Sequence, residues 1–119
     1  MFNPPKNFYK KLLGVKGESI AETHLNKLGY KTILRNYTTP FGEADLVCEN
    51  DGVIVFIEVK TRSSNKFGTP SEAVGYKKQK KYRDIANFYL KTNSNADAVI
   101  SFAVVEVIGD SVNVITDAF

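Results

Sequence analysis

The chain has 119 residues, of which 43% are hydrophobic and 24% charged, and its net charge is +3. These values predict one globular domain over residues 1–119, with no run near the roughly 20 apolar residues of a membrane helix. The single Cys48 and single His24 exclude an internal disulfide and a zinc site of the usual Cys/His type. No apolar signal core is present near residue 1, so we expect a cytoplasmic protein without a membrane partner.

Charge is unevenly distributed along the chain. Residues 1–35 hold seven basic and two acidic side chains, whereas residues 36–59 hold five acidic side chains and no basic ones. Residues 60–83 then hold eight basic side chains and one acidic one. This order suggests an anion-binding rim around a negative centre, although blocks of charge are also typical of solvated faces.

The first predicted element is a helix over residues 17–30, with the sequence GESIAETHLNKLGY. Its apolar stripe is predicted from helical spacing and consists of Ala21, Leu25 and Leu28. Gly29 is well placed to end the helix. Glu18 borders the stripe, so we expect a carboxylate at the edge of the packed face.

Strands are predicted next over residues 31–38 and 42–49, and a third begins at Val53. The Asp51-Gly52 pair predicts a two-residue hairpin turn, so the second and third strands are expected to be adjacent and antiparallel. Strict alternation places two sets of side chains on opposite faces of the second strand. One face has Glu43, Asp45 and Val47, and the other, expected in the core, has Ala44, Leu46 and Cys48.

The rest of the chain predicts a polar connection over residues 61–76, a helix over 77–93, and strands over 98–107 and 112–116. The buried side of this helix is predicted to contain Ile85, Phe88 and Tyr89. The predicted order is therefore αβββαββ. It indicates an α/β fold with a small mixed β-sheet flanked by helices.

Two carboxylates are predicted to oppose each other in the hairpin. Glu58 and Lys60 lie one pleat apart on the third strand, and counting back through the turn places Asp45 opposite Glu58. Opposed like charges destabilise a sheet unless a cation lies between them. Lys60 is one candidate for that cation, in a structural ion pair, and Mg²⁺ or Mn²⁺ is the other. Glu18 could supply a third carboxylate.

Such a group of side chains has a chemical use. Carboxylates that hold divalent ions activate water and neutralise the charge that develops on a phosphate during hydrolysis. A lysine beside the metal can orient or deprotonate that water and stabilise the transition state. The basic second helix would then bind a phosphate backbone.

The same residues resemble a known family. Asp45 on one strand and Glu58-x-Lys60 on the next resemble the core of the PD-(D/E)xK nuclease superfamily, and Glu18 and Gln79 resemble its branch with the archaeal Holliday junction resolvases. Six ordered segments are similar to the YraN-like family of uncharacterised bacterial proteins. These segments are GESIAETHLNKLGY, ILRNY, GEADLV, VFIEVKTR, FGTPSEAV and KKQKKY.

This resemblance implies a restriction-endonuclease-like fold and a nuclease that uses Mg²⁺ or Mn²⁺ to cut DNA, with branched DNA as a candidate substrate. It also implies a homodimer, because junction-cleaving relatives cut two strands. The implied metal ligands are Asp45, Glu58, Glu18 and the Val59 carbonyl. Lys60 is the implied catalytic lysine, and Gln79 is implied to position the nucleotide or that lysine.

The side chains expected to contact phosphate are basic, and they are Arg62, Lys77, Lys78, Lys80 and Lys81. Two other functions stay open. One is a nucleic-acid-binding module that has the same fold and no catalysis. The other is a structural or interaction protein in which the carboxylates and Lys60 form only an ion-pair network.

Overall fold

The computed structural model describes residues 6–62, 75–93 and 97–119, with side chains from Gly14 onward apart from Val15. The elements are α1 (Lys6–Lys27), β1 (Lys31–Thr39), β2 (Gly42–Asn50), β3 (Val53–Arg62), α2 (Tyr76–Thr92), β4 (Val99–Ile108) and β5 (Ser111–Ile115). This confirms the predicted α/β class and the order αβββαββ. Among the described residues, no helix is long and apolar enough to span a membrane.

The five strands form one mixed sheet in the order β1-β2-β3-β4-β5. All neighbours are antiparallel except β3 and β4, which are parallel because α2 connects them. Asp51 and Gly52 both have positive φ, as a tight hairpin turn of this kind requires. The resulting register agrees with the prediction from Asn50↔Val53 to Leu46↔Ile57. The architecture is compatible with a small restriction-endonuclease-like fold.

β3 is buried on both faces, which explains its uninterrupted apolar run. Its odd-numbered side chains Val55 and Ile57 pack against α1, in a group we call the α1-side cluster, which includes Ala21 and Leu25. The even-numbered side chains belong to the α2-side cluster, which contains Ile54, Phe56, Tyr82, Ile85 and Tyr89. Burying each of the large side chains contributes roughly 1.5–3 kcal/mol.

α1 is longer than the sequence predicted, because it begins at Lys6 and ends at Lys27. Gly29 follows with φ of 98°, which fits the predicted end signal. Leu28, however, was predicted on the buried stripe and is 55% exposed. The reason is that it lies beyond the last helical turn, where the 3.6-residue period no longer applies.

α1 approaches β3 closely at Gly17. A Cβ atom at this position would lie 2.0 Å from Thr61 Oγ1 and 3.0 Å from Thr61 Cβ. Only glycine allows the helix backbone to reach the strand at this distance. The next residue, Glu18, lies beside Asp45 and Glu43 of β2.

The predicted alternation of faces along β2 is wrong at Asp45. Leu46 and Cys48 lie in the α1-side cluster as one set, but Ala44 lies in the α2-side cluster. Asn36 of β1 lies at this point, between the pairs Arg35↔Leu46 and Tyr37↔Ala44, and its φ of 49° departs from regular strand geometry. Asp45 therefore lies where β2 changes the face that it presents to each helix.

α2 is capped by the Gly75 backbone and ends at Thr92. Of its predicted buried residues, Ile85 and Tyr89 are buried, whereas Phe88 is only partly so. β3 continues through Thr61 and Arg62, which the sequence had assigned to the polar connection. The rest of that connection, residues 63–74, lies outside the described residues.

Candidate active site

Glu58 is a buried carboxylate that carries two lysines on one oxygen. The side chain lies on β3 facing α2, and the residue is only 6% exposed. Lys78 Nζ donates to Glu58 Oε1, and Lys60 Nζ lies 3.3 Å from the same oxygen. Within the described part of the chain, Glu58 Oε2 is buried and has no hydrogen-bond partner. The carboxylate is therefore crowded with cations at one oxygen and unpaired at the other.

Asp45 is held beside Glu58 by the backbone of β3. Its Oδ2 accepts a hydrogen bond of 2.7 Å from the Val59 N–H, just beyond the last ladder pair, Leu46↔Ile57. Burial raises the pKa of Asp45, and the charge of Glu58 raises it further, against the lowering effects of the Val59 N–H and the Lys78 ammonium. The two carboxylates are thus close enough to repel each other, as the hairpin count predicted.

The two lysines of the site differ in how readily they lose a proton. Burial lowers the pKa of Lys60, and the neighbouring Lys78 ammonium adds to this effect against the attraction of Glu58. Burial also opposes the charge of Lys78, but the hydrogen bond to Glu58 and its negative charge outweigh burial, so the pKa of Lys78 is raised. Lys78 therefore holds its proton more firmly, and Lys60 loses its proton more readily.

Glu18 from α1 completes the acidic side of the site. Burial raises the pKa of Glu18, and the charges of Asp45 and Glu43 raise it further. The Asn36 amide lies between two of these acids. With its NH₂ group turned toward them, it donates to Glu18 Oε1 at 3.1 Å and to Glu43 Oε1 at 3.3 Å. The sequence analysis missed Asn36, whose only signal was the tolerance of asparagine for positive φ.

A cavity of about 250 Å³ opens along this acidic side. It extends from Glu22 and Arg35 past Glu18 to Asp45. One wall is thus a satisfied ion pair on the outer surface, and the other is the cluster of repelling carboxylates. The cavity gives Asp45 access to solvent despite its burial.

The predicted phosphate-binding lysines lie around the first half of α2. Lys77 and Lys80 are exposed, and Lys80 Nζ lies 2.8 Å from Asp84 Oδ2. The stem of Lys81 lies over Gly42, where an added Cβ would be 2.8 Å from Lys81 Cδ. Lys78 alone among the four contacts Glu58 in the described structure. Gln79 lies next to it in the first helical turn and is half-buried.

Arg62 is placed differently from these lysines. Its Nε lies 3.5 Å from Glu106 Oε2 on β4, and its side chain is 18% exposed. Glu106 is buried, and the separation of these two atoms is too long for a well-formed hydrogen bond. The structure thus gives Arg62 an acidic partner that the sequence analysis had not identified.

The oxygen ligands suit a hard divalent ion, although no closed cage is present. In the ranges 6–62, 75–93 and 97–119, no three His, Cys, Asp or Glu side chains converge closely enough to hold a metal. Asp45 and Glu58 are nevertheless neighbouring carboxylates. Glu58 Oε2 is buried and has no hydrogen-bond partner among the described residues, so it is suited to coordinate a cation. These two residues would hold the ion, and Glu18 and the Val59 carbonyl stay predicted ligands.

Comparison with known proteins identifies the family. The model of Uncharacterised protein family UPF0102 matches residues 17–107, a range that includes every candidate site residue. A UPF0102 protein of Syntrophomonas wolfei is 45% identical over 111 residues, covering 90% of this chain and 96% of the relative. A UPF0102 protein of Alkaliphilus oremlandii is 46% identical over 99 residues, covering 82% and 85%. The chain therefore belongs to family UPF0102, the YraN-like family that its sequence motifs predicted.

Proposed function

We propose that this protein is a cytoplasmic nuclease that hydrolyses phosphodiester bonds in DNA with Mg²⁺ or Mn²⁺, and that branched DNA is its candidate substrate. One observation carries the proposal: a buried glutamate and a neighbouring aspartate share a site with two lysines, and one glutamate oxygen has no hydrogen-bond partner among the described residues. Unsatisfied buried charge of this kind is costly to a fold and is concentrated at functional sites.

Each residue of the site has a role that follows from its position. A divalent ion held by Asp45 and Glu58 would polarise the phosphate and its attacking water. Asp45 is already oriented by the Val59 N–H. Lys60, whose pKa is lowered by burial, can accept a proton at Nζ from that water or donate a hydrogen bond to the phosphate.

Substrate binding is assigned to the first half of α2. α2 begins at Tyr76 after Gly75, whose carbonyl accepts hydrogen bonds from the Lys78 and Gln79 N–H groups, and the positive end of the helix dipole favours an anion there. The exposed Lys77 and Lys80 lie in the same turns. Contacts to phosphate carry no sequence information directly, so we expect selection by DNA structure rather than by base sequence.

The first test is metal binding, because it does not require the substrate to be known. Thermal unfolding of the wild type and of Asp45→Asn is compared with and without Mn²⁺, with Ca²⁺ and high salt as controls. A ligand at about 100 times its Kd stabilises by roughly 2.7 kcal/mol, which shifts Tm by several degrees in a domain of this size. We expect this shift in the wild type and its loss in Asp45→Asn.

The second test is cleavage of four-way junctions, flaps and single strands of DNA, with matched RNA. We expect the wild type to cut at least one DNA substrate, and Asp45→Asn and Lys60→Met to lose about 100-fold or more in rate. Residual cleavage by Asp45→Asn, purified in the same way, measures contaminating nucleases, and Glu22→Gln controls for a nonspecific effect of substitution. Equal cleavage by the wild type and all three variants would contradict the proposal. Salt-dependent binding without cleavage would favour a binding module, and neither binding nor a metal effect would favour a structural role.

A further inference from the structure

Lys78 occupies a position in the site that a catalytic scheme with one lysine does not require. Lys60 is already within 3.3 Å of Glu58 Oε1, yet Lys78 from α2 donates to the same oxygen. The Lys78 charge also acts on Asp45. A second ammonium therefore lies at the carboxylate pair, where a divalent cation would otherwise neutralise the charge.

We propose that Lys78 is the resident cation of this site: it neutralises Asp45 and Glu58 in the metal-free protein and must leave Glu58 when a divalent ion binds. This inference rests on the proposed function, since it concerns the same metal site. The Lys78 side chain would then compete with the ion for Glu58, and this competition would set the affinity of the site for metal. Lys78 would also become available to a phosphate once the metal has entered.

The placement of the two lysines indicates which one moves. Lys60 lies on β3, two residues before its end, and its backbone is still paired with β4 there through Lys60↔Glu106. Lys78 lies in the first turn of a helix, and its side chain is 31% exposed, so rotation of its long stem can carry the ammonium into water. Retraction of Lys78 requires no movement of the sheet.

Charge explains why both cations are not held together. A divalent ion added to the ammonium groups of both Lys60 and Lys78 would exceed the negative charge of Asp45 and Glu58, and the burial of Glu58 limits screening of the resulting repulsion by water. Lys78 stays on the same helical turns as the exposed Lys77 and Lys80 after it leaves. The metal thereby converts an internal counter-ion into a third phosphate-binding lysine of that surface.

The test is a calorimetric titration of Mn²⁺ into the wild type, Lys78→Met and Lys77→Met at fixed ionic strength. Lys77 is the matched control because it is the neighbouring lysine in the same turn and is exposed. We expect Lys78→Met to bind Mn²⁺ about tenfold more tightly than the wild type, because its competitor is absent. Lys77→Met is expected to stay within about twofold. Adding Asp45→Asn to Lys78→Met is expected to abolish binding.

The outcomes separate this inference from the proposed function. If the wild type binds Mn²⁺ through Asp45 and Lys78→Met binds no more tightly, the role of Lys78 is overturned and the metal site stands. If Lys77→Met gains as much as Lys78→Met, bulk charge accounts for the effect and the inference is again overturned. Binding by Lys78→Met alone would support it, whereas absence of binding in every variant would overturn both proposals.

A second readout does not use metal. Without its resident cation, the carboxylate pair is unbalanced, so Lys78→Met is expected to lower Tm, and adding Asp45→Asn is expected to restore part of the loss. Lys78→Gln, which keeps a polar side chain, covers the case in which Lys78→Met folds poorly. An equal effect of Asp45→Asn in both the wild-type and Lys78 backgrounds would show that Lys78 does not neutralise Asp45.

Discussion

Two acidic side chains of this protein bind basic partners in opposite ways. Glu22 on α1 accepts two hydrogen bonds from Arg35, at 2.7 and 2.6 Å, and a third of 2.8 Å from Thr32. Both of its oxygens are used, and the Arg35 side chain is 65% exposed. Glu58 on β3 is buried, has both of its ammonium contacts at one oxygen, and leaves the other unpaired among the described residues.

The difference separates a structural ion pair from a candidate site. The guanidinium of Arg35 is planar and matches the Glu22 carboxylate, so geometry and charge are satisfied without a further ligand. At Glu58, two point charges compete for one atom, and Asp45 adds a second negative charge nearby. The first arrangement links α1 to β1, and the second has a position for a cation that the protein fills with Lys78.

Replacing each acid by alanine should expose this difference most strongly. In the metal-free protein, Glu58→Ala is expected to lower the free energy of unfolding by about 3 kcal/mol, because it leaves two partly buried ammonium groups side by side. Glu22→Ala is expected to cost much less, since Arg35 returns to water. Urea unfolding of both variants measures the two losses. Equal losses would show that the Glu58 cluster is an ordinary surface network.

The glycine at the start of the Glu18 turn gives a second comparison along α1. Gly17→Ala is expected to destabilise by about 2 kcal/mol, because the new Cβ would overlap Thr61 and push the helix from β3. Gly14→Ala is the control: among the side chains that the structure describes, nothing lies within 4 Å of its Cβ position, so helix propensity should stabilise it by about 1 kcal/mol. Thermal unfolding compares the two variants.

Thr61→Ala should partly restore stability to Gly17→Ala, because it removes the two outer atoms of the clash. If α1 moves as expected, the Glu18 end of the helix should be disturbed more than the Glu22–Arg35 pair, which lies more than one turn further on. A Gly17→Ala protein that is as stable as Gly14→Ala would contradict the close approach of α1 to β3.

The sequence predicted the hairpin and the carboxylate pair because both depend on local signals. Asp51-Gly52 specifies the turn, and the turn sets the register that places Asp45 near Glu58. The face change at Asp45 could not be predicted in this way. It coincides with the left-handed backbone of Asn36 in the neighbouring strand, and strict alternation contains no signal for such an irregularity.

The pairing of Lys78 with Glu58 also could not be predicted from sequence patterns. Four lysines are crowded into residues 77–81, and helical spacing alone does not decide which of them points to β3. That choice depends on how α2 packs through Tyr82, Ile85 and Tyr89 on the α2-side cluster. Lys78 was therefore predicted as a phosphate contact, and its pairing with Glu58 emerged only from the tertiary structure.

Cys48 lies in the α1-side cluster, and its thiol provides a test of burial on this side of the sheet. Burial raises the pKa of the Cys48 thiol from 9.0 to about 11. The folded state therefore keeps its proton above pH 9, where the unfolded chain loses it, so this contribution to stability falls as the pH rises from about 9 to 11. The difference in unfolding free energy between the wild type and Cys48→Ala should shrink by about 1 kcal/mol between pH 8 and pH 10.

Lysines and tyrosines also titrate in this pH range, but they do so in both proteins. Their contribution therefore largely cancels when the unfolding free energy of Cys48→Ala is subtracted from that of the wild type. Native Cys48 should also react slowly with a thiol reagent, because it is fully buried and protonated. A pH-independent difference, together with rapid labelling of the native protein, would place Cys48 nearer to solvent than the structure does.

The smallest effect expected is that of Glu22→Gln, and its dependence on salt and pH is more informative than its size. The hydrogen bond from Arg35 lowers the pKa of Glu22 from its usual 4.5, so the pair contributes stability above that pH and loses it as the pH falls. Arg35 is exposed, so the loss caused by Glu22→Gln should be measurable at low ionic strength and disappear near about 1 M NaCl. The loss caused by Glu58→Gln should persist under the same salt, because Glu58 is buried and weakly screened. Urea unfolding at two salt concentrations makes this comparison. If the loss of unfolding free energy in Glu58→Gln also depended on salt, water and ions would already reach the carboxylate that Lys78 is proposed to neutralise.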